Sequence, residues 1–82
     1  MKKFTYEMLQ EYREGMMLIN NGKVSNDYVS WKEVEYAADF RRKHNLYTDK
    51  VITDFRLNSK LDKYDKDILL TLTCNWVWSL IN

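Results

Sequence analysis

ILLTLTCNWVWSLI, residues 68–81, carries no charge, in a chain where 30% of residues are charged. Its reading decides the fold. With period 2, Leu70, Leu72, Cys74, Trp76, Trp78 and Leu80 alternate with Thr71, Thr73, Asn75, Val77, Ser79 and Ile81, an acceptable strand pattern. With period 3.6, Thr71, Asn75 and Ser79 form one narrow polar stripe, and most of the remaining circumference is apolar except at Thr73. Two arguments favour the helix. A lone strand needs a partner, and no second strand pattern exists in the chain, so a strand here requires pairing between copies. Asp62, Asp65 and Asp67 lie just upstream, where carboxylates favour a helix N-terminus.

As one helix the run is about 21 Å long, too short for a hydrocarbon core of roughly 30 Å. No Lys or Arg follows it as an anchor, so a membrane span is not expected. A helix apolar nearly all round is normally buried. The expected fold is therefore an all-α bundle of four helices, residues 1–82 forming one domain, with the apolar C-terminal helix at its centre.

The three other helices carry their own start and stop signals. Thr5 caps a first helix running to about Asn20, with Phe4, Met8, Leu9, Tyr12, Met16 and Ile19 on one side. Asn20-Asn21-Gly22 is a stop, because Asn and Gly accept a left-handed conformation. Gly15, inside this helix, costs about 1 kcal/mol relative to Ala and is expected where another helix approaches closely. Ser30-Trp31-Lys32-Glu33 has capping-box spacing, and Val29 and Val34 are placed as a hydrophobic staple. That second helix should run to about His44, with Asn45 as the left-handed residue after it and Leu46 as its apolar contact. Thr48 caps a short third helix, with Val51, Ile52 and Phe55 inward, ending near Asn58. The stretch Ser59–Asp67 is either loop or the first turns of the next helix.

Composition bounds the function classes. The chain has 82 residues, 45% hydrophobic and 15% aromatic, with three Trp and six Tyr. That is too apolar for disorder. Thirteen Lys and Arg against 12 Asp and Glu give a net charge of +1, so long-range attraction to nucleic acid or anionic lipid has little support. The single cysteine, Cys74, cannot form an internal disulfide, and Met1-Lys2-Lys3 is not followed by an apolar leader segment; a reducing cytoplasm is the expected location.

Catalytic chemistry has no constellation behind it. His44 and Cys74 are the single residues of their types and lie thirty positions apart, and an apolar surrounding disfavours the Cys74 thiolate. Asp62, Asp65 and Asp67 lack the glycine and distal glutamate of a calcium loop, so no metal and no cofactor is expected. Asn20-Asn21-Gly22-Lys23 is a turn and not a phosphate loop. In outline, the second helix, the Asn45-Leu46 turn and the third helix follow a helix-turn-helix, with Arg41, Arg42, Lys43 and Lys50 as possible phosphate contacts. The match weakens where a small residue should stand, at Arg41, and where an apolar one should stand, at Asp54. Asp49 and Asp54 would also repel phosphate, so nucleic acid is the weaker reading.

The remaining feature is aromatic surface. The second helix has an apolar arc over half its circumference, wider than one neighbour requires. The indoles of Trp76 and Trp78 point in widely separated directions on a helix. Trp31, Tyr36, Phe40, Trp76 and Trp78 are the pool expected to contain partner-binding anchors. The expectation is a non-enzymatic regulatory protein acting by stoichiometric protein–protein contact, with a homodimer as one form. In texture (small, aromatic-rich, Lys- and Asn-rich, without catalytic motifs) the chain resembles the accessory proteins of bacteriophages. That resemblance implies an inhibitor or modulator of one host or phage protein.

Overall fold

The computed structural model describes residues 3–19 and 30–81. Five helices follow one another: α1 Tyr6–Ile19, α2 Trp31–Lys43, α3 Asp49–Asn58, α4 Lys63–Leu72 and α5 Asn75–Ile81. No strand occurs among the described residues, so the run at 68–81 is helical and the strand reading falls. The expected stop at Asn20-Asn21-Gly22 and the Val29 half of the staple lie outside the described residues.

The local signals act as their chemistry dictates. The Met8 N–H donates to Thr5 Oγ1 at 3.2 Å, capping α1. The Glu33 N–H donates to Ser30 Oγ at 3.2 Å, capping α2. At the other end of α2, Asn45 has φ 54°, the left-handed region. The Asn45 N–H donates to Arg42 O at 3.2 Å and the Leu46 N–H to Arg41 O at 2.8 Å, the paired bonds of a Schellman motif. Leu46 is buried, completing that motif's apolar contact. Asp62 caps α4, its Oδ1 accepting from the Asp65 N–H at 2.8 Å. Thr48 precedes α3 in extended conformation but makes no side-chain cap bond.

Two expectations are corrected. The apolar run is not one helix, and it is not at the centre. The Thr73 and Cys74 N–H groups turn back to Leu70 O and Thr71 O, both at 3.2 Å, which tightens the chain and ends α4. The Thr73 hydroxyl adds a bond to Leu70 O at 3.3 Å. Ser and Thr compete with the helix ladder in this way. A new helix then starts with the Trp78 N–H on Cys74 O at 3.1 Å. The polar stripe is thereby cut: Thr71 is buried, whereas Asn75 and Ser79 face solvent.

The molecule measures 34 × 30 × 19 Å. Its short axis is about two helix diameters, so no helix can be surrounded on all sides. Helix α2 makes the most extensive contacts, packing on α1, α4 and α5. Its wide apolar arc is explained by these three contacts. Val34, Ala37, Ala38 and Phe40 from α2 join Phe4, Leu9, Tyr12 and Met16 from the first segment, Ile52 from α3, Ile68, Leu69 and Leu72 from α4, and Val77 from α5. Each fully buried aliphatic or Phe side chain contributes about 1.5–3 kcal/mol.

The close approach expected at Gly15 is present. A Cβ there would overlap the Tyr36 ring and hydroxyl from α2. The Tyr36 ring stacks on Tyr12 at 5.7 Å between centroids, and its hydroxyl donates to Glu11 O at 3.3 Å. Glycine at 15 lets α1 and α2 meet across this tyrosine.

Candidate interaction surface and the Arg41 junction

The five aromatic residues nominated as anchors divide sharply. Trp76 is 66% exposed and Trp31 54% exposed, while Trp78 is 37% exposed. Tyr36 is half-buried in its stack on Tyr12. Phe40 is 2% exposed and sits among Phe4, Tyr12 and His44, with ring centroids 6.3, 5.2 and 4.5 Å away. Phe40 is a core filler and leaves the anchor pool, because the surface that an amphipathic reading gave it is occupied by α1. What remains at the surface is one indole at the start of α2 and two on α5. Helix α5 is short and uncharged, and Val77 is its only fully buried residue. Leu70 on α4, 51% exposed, was not singled out by sequence reasoning; a single apolar residue within a uniformly apolar run gives no signal of its facing.

The four basic residues nominated for phosphate contact all have internal partners. Arg41 is completely buried and is not placed to contact phosphate. Its Nε donates to Leu46 O at 2.7 Å, and its Nη1 donates to Asp49 Oδ1 at 2.8 Å and to Leu72 O at 3.3 Å. The Trp78 indole covers the guanidinium, 5.3 Å from Cζ to the ring centroid. Arg41 Nη2 has no hydrogen-bond partner among the described residues. One guanidinium thus joins the loop after α2, the first turn of α3, the last carbonyl of α4 and a face of α5. The signal was available: Arg41 lies seven positions after Val34, on the same face as Ala37 and Ala38. Leu72 O would accept from the Trp76 N–H in a continuous helix, so its use by Arg41 goes with the break between α4 and α5.

Arg42 donates to Asp39 Oδ1 at 2.6 Å and to Leu80 O at 2.9 Å, tying α2 to the end of α5. Lys50 pairs with Asp54 at 3.0 Å along α3. Lys43 Nζ lies 3.0 Å and His44 Nε2 3.1 Å from Glu11 Oε2, which ties the end of α2 to α1. His44 and Lys43 beside it hold the Glu11 carboxyl below its ordinary range.

The acidic cluster at the start of α4 is likewise structural. Arg13 Nη1 approaches Asp65 at 2.9 Å and Asp62 at 3.4 Å, and its guanidinium lies 5.2 Å from the Tyr64 ring centroid. Burial pushes the Asp65 carboxyl up despite Arg13, whereas the Asp65 backbone N–H holds Asp62 down. Among the described residues no group of three or more His, Cys, Asp or Glu is arranged to hold a metal ion. Burial also pushes the Tyr12 phenol well up, and its hydroxyl has no hydrogen-bond partner among the described residues. Cys74 is free and packs at the edge of the core.

An open groove of about 470 Å³ lies between the N-terminal segment and α3, with Phe4, Val51 and Phe55 on its walls and Lys3 and Asp54 at its rim. None of the nominated residues lines it. No helix among the described residues is long and apolar enough to cross a membrane. Comparison with protein-family profiles, curated protein sequences and solved structures finds no match for the chain.

Proposed function

We propose that the protein is a non-enzymatic regulatory module that acts by stoichiometric contact with another protein, inhibiting or redirecting it. The observation that carries this reading is the exposure of Trp76, on a short helix whose own docking requires Val77 and not that indole. Trp78 beside it and Trp31 at the start of α2 are further large aromatics at the surface. Interface energies concentrate in such residues, because one indole removes a large area from water at little entropic cost. The mechanism is occlusion: indoles fill a groove on the target, and charged neighbours such as the Arg42–Asp39 pair set register at the rim. A second copy of the chain is one partner that the reading accommodates. The accessory proteins of bacteriophages, which the chain resembles in texture, act in this manner.

Of the side chains that the duplex-DNA reading needs, Arg41 is buried, and the exposed Arg42, Lys43 and Lys50 each pair with a carboxylate that a phosphate would have to displace. Affinity capture of the tagged full chain from its native cells, with and without nuclease, tests the choice. One protein recovered in stoichiometric amount after nuclease supports the proposal. Recovery dominated by nucleic acid, or abolished by nuclease, overturns it.

A further inference from the structure

We infer that α5 is a latch: it leaves α2 as one cooperative unit while α1–α4 stay folded, and its opening uncovers the Arg41 guanidinium. The first ground is length. Seven residues are well below the twelve or so that sustain a helix in water, so α5 is helical only while docked. The second is the attachment. The chain is already broken at Thr73 and Cys74, where the bonds return to Leu70 and Thr71, so α4 ends in a closed turn that does not depend on α5. The third is that the attachment is a single seam: α5 packs chiefly on α2, through Val77, Trp78 over Arg41, the Arg42 bond to Leu80 O, and the partly buried Leu80 and Ile81.

Arg41 supplies a reason for opening. Its Nη2 is buried without a hydrogen-bond acceptor among the described residues, a state that costs free energy relative to hydration. Lifting Trp78 uncovers one face of that guanidinium. The three other bonds of Arg41 run to Leu46, Asp49 and Leu72, none of them in α5, so the guanidinium stays anchored while that face is exposed. The open form presents a positive charge beside an apolar seam on α2, a surface that the closed form hides.

The test is native-state hydrogen exchange on the full chain at increasing, sub-denaturing urea. The expected result is that the α5 amides, Trp78 to Ile81, exchange at least about tenfold faster than those of α2 and α4, with one shared urea dependence shallower than that of global unfolding. Trp78→Ala and Val77→Ala should then each speed exchange in α5, and should speed exchange of the α1–α4 amides that open only by global unfolding by no more than the same factor. Protection in α5 equal to that of α2 would overturn the inference, and so would protection that declines residue by residue toward Ile81, which is simple end fraying. The measurement needs no partner, so its outcome is independent of the capture experiment.

Discussion

Arg41 shows how a single side chain can organise several elements. A buried guanidinium is tolerated when its N–H groups meet acceptors, and three of those acceptors come from different parts of the chain. Arg41→Leu should lower stability by about 2–4 kcal/mol in urea unfolding, because it leaves the buried Leu46 and Leu72 carbonyls without their donor. Arg41→Lys should recover less than half of that loss, since an ammonium cannot reproduce the planar fork. Gly15 makes the opposite point, that an absent side chain can be required. Gly15→Ala gains about 1 kcal/mol of helix propensity but drives a methyl into Tyr36, an overpacking cost of about 1–3 kcal/mol. The substitution should therefore be neutral to destabilising alone and stabilising in a Tyr36→Ala background, a sign change that a double-mutant cycle reads directly. Glu11 links stability to pH. Its folded pKa is depressed by His44 and Lys43, so its contribution is present above the ordinary value of 4.5 and is lost as pH falls through the lower folded value. Glu11→Gln should flatten that part of the acid unfolding curve and leave the curve above it parallel to wild type.

The elements themselves were largely legible, because helix boundaries are written in short-range chemistry. Thr5, Ser30, Asn45 and Leu46 do what their residue types permit, and the structure uses each of them. Ser30→Ala should cost about 1 kcal/mol, whereas Thr48→Ala, where no side-chain cap bond exists, should cost under about 0.5 kcal/mol. Thermal or urea unfolding of the two variants checks the contrast. The C-terminal run was legible as helix and illegible as two helices. Nothing in a uniformly apolar pattern marks where a chain turns, and the break depends on tertiary contact: Arg41 takes the Leu72 carbonyl that a continuous ladder would use. The same limit applies to the candidate surface. Trp31 and Trp76 face solvent and Phe40 does not, yet all three sit in amphipathic patterns; which apolar residues stay outside is decided by how many neighbours each helix acquires.

At the scale of the whole molecule, thickness governs what can be hidden. A body 19 Å across its short axis has two helical layers, so each helix keeps a face toward solvent. With α2 packed on α1, α4 and α5, its Phe40 is covered, and apolar side chains emerge instead at Trp76 and Trp78 on α5, Trp31 at the start of α2, Leu18 on α1, Leu57 on α3 and Leu70 on α4. The near-zero net charge fits a surface that recognises by shape and apolar contact more than by long-range attraction. The most direct measurement compares capture of the native partner by the wild-type chain and by Trp76→Ala, with urea unfolding of both. Because Trp76 is 66% exposed, the account predicts stability within about 0.5 kcal/mol of wild type together with a loss of partner recovery. Undiminished recovery by a folded Trp76→Ala chain would contradict it.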